Sequence, residues 1–148
     1  MTSETHPIQS LSALLRAGLG DALAPAEGLL DMLTEDVSFE FPFAPPDGVT
    51  RLEGKAAVAA YLPRVGMLFT IEGLSPPRTM ISADGNHAVL EFSGRAYAND
   101  GGLRYDQDYV SVLDLRDGRI SRYRDYWNPG ILLAAVGGGE RLKAVLDG

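Results

Sequence analysis

The sequence predicts an α+β protein in which helices come first and a sheet of hairpin-linked strands follows. Apolar residues recur at helical spacing in the N-terminal third, whereas extended runs in the second half are separated by Asp-Gly and Asn-Asp-Gly-Gly turns. Asp-Gly between extended runs indicates a hairpin, because both central residues of a tight hairpin turn adopt positive φ. Since helices and strands are segregated along the chain, we expect N-terminal helices packed into a curved antiparallel sheet.

Three segments of the first half have helical character. In the first, apolar residues recur at every third or fourth position and glycines end the pattern, at Ile8, Leu11, Leu14, Leu15, Gly18 and Gly20. Pro25 suits the first position of a second helix, because the backbone N–H that proline lacks would be unpaired there. This helix would carry Leu29, Leu30 and Leu33. A short third helix is predicted from Gly54 to about Leu62, and Tyr61 lies on its apolar stripe.

The other segments are predicted to be strands, with one more helix at the end. The run 37–43 alternates strictly, which puts Phe39 and Phe41 on one face with Val37 and Phe43. A loop is expected over 44–53, and later strands are expected over 68–81, 87–98, 103–115 and 119–128. Asn128-Pro129 predicts the start of an apolar helix that ends near Val136. We therefore expect one domain over 1–148, with 137–148 as a short C-terminal tail.

Composition excludes several classes of function. The net charge of −7 and pI near 4.7 argue against nucleic acid as a partner. The chain has no cysteine, which excludes disulfides, zinc-thiolate sites and thiol nucleophiles. Its two histidines, His6 and His87, are far apart and are expected at the surface, so we expect no metal site. No signal peptide or membrane-length apolar run is evident, and a cytoplasmic protein without a membrane partner is expected.

Two stretches of the sequence carry the pattern of a known family. The first is YDQDYVSV at 105–112 leading into DGRISRYRDYWNP at 117–129. The second is LTEDV at 33–37, followed by Phe41-Pro42 and by GKAAV at 54–58. Both resemble SnoaL-like proteins of the nuclear-transport-factor-2-like (NTF2-like) superfamily, and the first is similar to the closing hairpin of that group. The resemblance implies a cone-shaped fold around one apolar pocket, a small hydrophobic ligand of cyclic or polyketide-like type, and no cofactor. Such folds host isomerases, cyclases, hydrolases and binders alike.

Residue-by-residue comparison within this superfamily directs attention to Asp125. The positions of the general-base and oxyanion-hole aspartates of ketosteroid isomerase hold Phe41 and Val110 here, so that mechanism is not expected. Asp125 matches the last-strand aspartate of limonene-epoxide hydrolase, and Glu91 can stand for its second carboxylate. The arginine of that triad falls near Val89, so the triad is incomplete. The last-strand glutamate of the phenazine-biosynthesis A/B proteins also matches Asp125.

Strand pairing through the turns predicts the rest of the site. Counting from the turns puts Glu91 opposite Val110 and Val110 opposite Asp125, so the backbones of Glu91 and Asp125 are expected about 10 Å apart across two strand spacings. We expect Asp125 and Glu91 as catalytic residues. The expected ligand contacts are Trp127, Tyr123, Val110, Asp108, Arg95, Phe39, Phe41 and Tyr61. The alternative is that Glu91 and Arg95 form a solvated back face, because a one-residue register change reverses every assignment.

Three functions remain open at this point. The first is an enzyme that uses Asp125 as an acid/base on a small hydrophobic molecule, and the second is a non-catalytic binder of a similar ligand. The third is an assembly module with a vestigial pocket. A homodimer is expected in each case, formed through an outer sheet face that includes Tyr109, Leu113 and Tyr126, because a large apolar sheet face seldom stays bare.

Overall fold

The computed structural model describes residues 6–46, 48–138 and 144. Its helices within these ranges are α1 (His6–Leu19), α2 (Lys55–Gly66) and α3 (Pro129–Val136). Its strands are β1 (Leu33–Glu40), β2 (Arg51–Glu53), β3 (Phe69–Leu74), β4 (Arg78–Ile81), β5 (His87–Ala98), β6 (Gln107–Arg116) and β7 (Arg119–Tyr126). Two single 3₁₀ turns, Gly20–Ala22 and Leu30–Met32, lie between α1 and β1. The α+β prediction is confirmed.

The strands form one curved, unclosed sheet in the order β2-β1-β7-β6-β5-β3, with β4 also paired to β5. The sheet is mixed, which corrects the prediction of a wholly antiparallel one. Strand β1 runs parallel to β7, whereas the other pairings are antiparallel. A parallel pair needs a long crossover, and the whole segment from α2 to β6 supplies it. This crossover encloses a concave face on which the helices pack.

Helix α1 packs closely against the concave side of the sheet. Its leucines Leu14, Leu15 and Leu19 are buried in the main core, and burying each such side chain contributes about 1.5–3 kcal/mol. Gly18 allows the close approach, because a Cβ at this position would lie 2.7 Å from Leu90 Cδ2. The helix is thus fixed over β5 by contacts that leave the neighbouring part of the concave face open.

Local hydrogen bonding overrides some of the predicted elements. The helix predicted from Pro25 is reduced to the Leu30–Met32 turn. The preceding segment is held by other partners: Ala24 N–H donates to Gly118 O at 2.8 Å, and Arg16 Nη2 donates to the carbonyls of Ala26 and Glu27. These bonds hold the segment in a non-helical path.

Four other boundaries differ from prediction, the first being the strand predicted over 37–43, which spans Leu33–Glu40. The strand predicted over 68–81 is interrupted by Pro76 and Pro77, which have no N–H to donate to a ladder. The loop predicted over 44–53 ends in strand β2, and the strand predicted from 103 begins only at Gln107. Helix α3 ends at Val136 as predicted, and Gly137, with φ of 85°, caps it. The polar helical turn predicted near the end of 137–148 falls largely outside the described residues.

Candidate functional site

A cavity of about 200 Å³ lies between α1, α2 and the concave face of the sheet. Aromatic and aliphatic side chains form most of its wall, among them Phe39, Phe41, Tyr61 and Trp127. Asp125 is the single acid or base among the described residues that line it, apart from the phenols of four tyrosines. The cavity is therefore an apolar space with one carboxyl in its wall.

Strand β7 directs Asp125 into the cavity. Alternation along the strand puts Tyr123 and Asp125 on the concave face, and Trp127 follows just beyond the strand end. What remains exposed of Asp125 faces the cavity, so neighbouring atoms remove most of the water that would stabilise its charge. Burial consequently raises the pKa of Asp125 to about 7, although a hydrogen bond from the Trp127 indole acts in the opposite direction.

Three tyrosines surround this carboxyl. Burial raises the pKa of Tyr105 to about 12, and burial also raises the pKa values of Tyr109 and Tyr123 above the ordinary tyrosine value. The charge of Asp125 adds to each of these shifts in pKa. All three phenols are therefore neutral hydroxyl groups near pH 7. Tyr123 is fixed by a 2.8 Å hydrogen bond with Ser111 Oγ and by stacking on Phe39, with ring centroids 4.3 Å apart.

A buried glutamine joins β6 to the segment after β7. Gln107 is 2% exposed. Its Oε1 accepts from Asn128 N–H at 3.0 Å, and its Nε2 donates to Asn128 O at 2.8 Å and to the Tyr105 hydroxyl at 3.4 Å. This side chain connects a cavity tyrosine with the backbone next to Trp127.

The predicted pairing of Glu91 with Val110 is present, but Val110 pairs with Tyr126 and Asp125 pairs with Ser111. The cause is an irregularity in the hairpin between β6 and β7. Leu115 pairs with Ile120, but Asp114 pairs with Arg122, so Ser121 is an extra residue. One extra residue on one strand moves all later pairs by one position and exchanges the two faces relative to the prediction.

Four predicted site residues consequently lie on the outer face and not in the cavity: Glu91, Arg95, Asp108 and Val110. Glu91 faces solvent with its Oε1 4.0 Å from Arg78 Nε, and Asp108 accepts a 2.7 Å hydrogen bond from Ser93 Oγ. The prediction of a carboxylate pair across the pocket is therefore wrong. The alternative considered from sequence, a solvated back face for Glu91 and Arg95, is what the structure has.

The same shift reveals residues that the sequence reasoning missed. Tyr109 and Leu113 were predicted on the outer face, but Leu113 is fully buried in the core and Tyr109 lines the cavity. Ser111, opposite Asp125, is buried as well. Tyr105 precedes β6 in an irregular segment, so no periodicity could assign its direction. Alternation along 107–113 would have identified Tyr109 once the extra residue in the neighbouring strand was known.

The six other predicted site residues all line the cavity: Asp125, Trp127, Tyr123, Phe39, Phe41 and Tyr61. Within the described residues, no group of three or more His, Asp or Glu side chains lies close enough together to hold a metal ion. No helix among those residues is both long and apolar enough to cross a membrane.

Known proteins share this fold and sequence pattern. Residues 20–123 match the SnoaL-like domain family. The chain is 41% identical over 108 residues to the uncharacterized protein YesE of Bacillus subtilis. This match covers 73% of this chain and 74% of the relative. It is 37% identical over 123 residues to an uncharacterized PhzA/B-like protein of Pseudomonas aeruginosa, covering 83% and 86% of the two chains.

Solved structures give the same result. A Bacillus subtilis protein named as a candidate isomerase has a TM-score of 0.72 and 36% identity, with 86% of this chain and 88% of that one covered. An NTF2-like protein of Burkholderia xenovorans has a TM-score of 0.65 at 22% identity, covering 84% and 90%. A candidate polyketide cyclase of Xanthomonas campestris has a TM-score of 0.64 at 22% identity, covering 84% and 91%. The last two show the fold alone.

Proposed function

The chain belongs to the SnoaL-like domain family, and from this premise we propose that it is an enzyme using Asp125 as a general acid/base on a small hydrophobic molecule. The observation that carries this proposal is the isolated carboxyl in the wall of an apolar cavity, with its pKa raised to about 7 by burial. Near neutral pH such a group is present in both protonation states. It can take a proton from a bound molecule and return it at another atom.

The faces of the sheet favour proton transfer over hydrolysis. An epoxide-hydrolase-like reaction of the limonene-epoxide type needs a second carboxylate across the pocket, and Glu91 is on the outer face. Isomerisation and cyclisation need only proton removal and return, which one carboxyl can perform. The 36%-identical structure named as a candidate isomerase is consistent with this class.

An alternative is a non-catalytic binder of a small hydrophobic ligand. In favour of this reading, the tyrosines and phenylalanines around Asp125 enclose an apolar space that would bind such a ligand without any chemistry. Asp125 would then only supply a hydrogen bond to a polar group of the ligand. The two functions differ in whether removing the titratable proton changes a rate or only an affinity.

Base-catalysed opening of 1,2-benzisoxazole to 2-hydroxybenzonitrile tests the catalytic proposal. In this reaction the base removes the proton on C3, the N–O bond breaks, and the product is followed by absorbance. We expect kcat/KM to rise with pH to a plateau with a midpoint near 7, because the ionised form of Asp125 is the base. Asp125→Asn preserves shape but cannot accept the proton, and should reduce the rate about 10²-fold or more.

Glu91→Gln is the matched control. It removes a carboxylate from the same sheet, but from the outer face, and should leave the rate and its pH profile unchanged. Equal rates for the parent protein and Asp125→Asn, with benzisoxazole bound by both, would reject the acid/base proposal and leave the binder. A loss of rate in Glu91→Gln would show that the carboxylate pair acts after all.

A further inference from the structure

We infer that the cavity takes a molecule of one ring with a hydrogen-bond-accepting oxygen of carbonyl type, and that the hydroxyl pair of Tyr105 and Tyr109 donates to that oxygen. This inference rests on the proposed function only in assigning the cavity as the ligand site. It concerns which ligand is recognised, and its test measures binding without turnover.

The direction of the hydrogen bonds at Gln107 follows from the backbone of Asn128. A backbone N–H can only donate and a carbonyl oxygen can only accept, so the amide must present Oε1 to Asn128 N–H and Nε2 to Asn128 O. The second proton on Nε2 then points to the Tyr105 hydroxyl. Tyr105 therefore accepts from Gln107, and its own proton must go elsewhere.

The Tyr105 and Tyr109 hydroxyls lie close enough for each to influence the pKa of the other. The two phenols carry two protons, and a hydrogen bond between them would use only one of these. If Tyr105 donates to Tyr109, the Tyr109 proton is left over; if Tyr109 donates to Tyr105, the Tyr105 proton is left over. Both side chains line the cavity. In either arrangement the pair presents an O–H donor to the cavity, because Gln107 occupies an acceptor position of Tyr105 without taking a proton.

The phenols remain donors over the working pH range. Burial and the charge of Asp125 raise the pKa of Tyr105 to about 12 and raise that of Tyr109 well above its ordinary value. Tyr105, Tyr109 and Asp125 line the same cavity of about 200 Å³, so donor and carboxyl can act on one small molecule. An oxygen that accepts from a phenol draws electrons from its neighbouring carbon, which makes protons next to that carbon easier for Asp125 to remove.

The size of the cavity limits the ligand. A cavity of about 150 Å³ with apolar walls binds benzene, and this one measures about 200 Å³. The additional volume accommodates a short substituent on one ring, such as an acetyl group. We expect three fused rings to exceed this volume.

The test uses acetophenone and α-methylstyrene, which have the same shape and differ by C=O against C=CH₂. Trp127 is the single tryptophan of the chain and lines the cavity, so its indole NMR signal reports binding of both compounds. In the double variant Tyr105→Phe with Tyr109→Phe, the affinity for acetophenone relative to that for α-methylstyrene should fall about tenfold. Retained binding of α-methylstyrene shows that the variant is folded. An unchanged ratio would overturn the inference.

A second measurement needs no variant. Acetophenone labelled with ¹³C at its carbonyl is bound to the parent protein at pH 9, where Asp125 is ionised and cannot donate. The carbonyl signal should move downfield from its position in hexane, as hydrogen bonding requires. A bound signal at the hexane position would show that no hydrogen bond reaches the carbonyl oxygen and would overturn the inference. The result is independent of benzisoxazole opening, so this inference and the acid/base proposal can fail separately.

The three-ring ketone 9-fluorenone tests the size limit with the same indole signal. We expect no saturable shift of the Trp127 resonance at concentrations that saturate it with acetophenone. Affinity for 9-fluorenone equal to or greater than that for acetophenone would overturn the single-ring assignment.

Discussion

Carboxyl groups on the two faces of the sheet have pKa values shifted in opposite directions. Asp125 on the concave face has its pKa raised to about 7 by burial. Glu40 on the outer face is only 15% exposed at its side chain, yet hydrogen bonding to Arg122 lowers its pKa. Burial alone thus does not decide the sign of the shift in pKa.

Available cations account for the difference. Arg122 Nε lies 2.8 Å from Glu40 Oε2, Arg124 Nε lies 3.5 Å from the same oxygen, and Arg51 Nη1 lies 4.0 Å from Oε1. Among the residues that the structure describes, those lining the cavity include no lysine, arginine or histidine. Arg124 and Asp125 are adjacent in the chain but point to opposite faces. The alternation of one strand therefore separates a carboxyl suited to proton transfer from the cations that would neutralise it.

The largest expected effect is on the stability of Asp125→Asn at high pH. The pKa of Asp125 rises from 3.8 in the unfolded chain to about 7 in the folded protein. Between these values the unfolded chain ionises first, so the parent protein loses stability as pH rises, by about 4 kcal/mol once the pH exceeds 7. Asparagine carries no charge, so the Asp125→Asn variant does not lose this stability as the pH rises.

Urea unfolding of both proteins at several pH values measures this effect. The free energy of unfolding of Asp125→Asn, relative to the parent, should grow from pH 4 to pH 7 and then level off. A difference that is constant over this range would mean that Asp125 is not desolvated in the folded protein. Lower activity combined with higher stability would be expected of a group maintained for chemistry.

The second expected effect has the opposite pH dependence. Glu40→Gln leaves three guanidinium groups on the outer face without their shared carboxylate, and should lower the free energy of unfolding by about 2 kcal/mol at pH 7. Because the pKa of Glu40 is lowered on folding, its contribution is present above the ordinary glutamate pKa and is lost as pH falls through the folded value. Urea unfolding at pH 7 and pH 3 checks this. A cost that persists at pH 3 would mean that packing, and not charge, is responsible.

The sequence predicted the fold more completely than the site, for physical reasons. Periodicity and turn residues identify α1, the β5–β7 meander and α3, because those signals are local. The parallel partner of β1 depends on contacts between distant parts of the chain. The extra residue at Ser121 has no signal of its own, since serine fits an ordinary strand and its Oγ bonds the Asp114 carbonyl at only 3.3 Å. Because of this extra residue, Tyr109 and not Val110 lines the cavity, and Glu91 lies outside the cavity in which it was predicted.

The smallest expected effect concerns the outer face as a contact surface. We propose that it pairs two copies of the chain, although Tyr109 and Leu113 do not contribute to it as predicted. Val110 is 36% exposed there, and its β7 partner Tyr126 meets the ring of Phe43 edge-on, with centroids 5.2 Å apart. Valine and tyrosine at the centre of a face with charges around it suit a two-fold contact.

Val110→Lys tests this pairing. Lysine at the centre of the contact would face its own copy across the two-fold axis, so like charges would repel and the dimer should dissociate. Because Val110 points away from the core, the free energy of unfolding of each subunit should change by no more than about 0.5 kcal/mol beyond the loss of the contact. Light scattering at micromolar concentration should give the mass of two chains for the parent and of one chain for the variant. Leu103→Lys, at a residue 54% exposed outside the sheet, is the control and should remain dimeric. A parent protein that is monomeric under these conditions would end the proposal and leave the outer face as an ordinary solvated surface, with the concave face as the functional one.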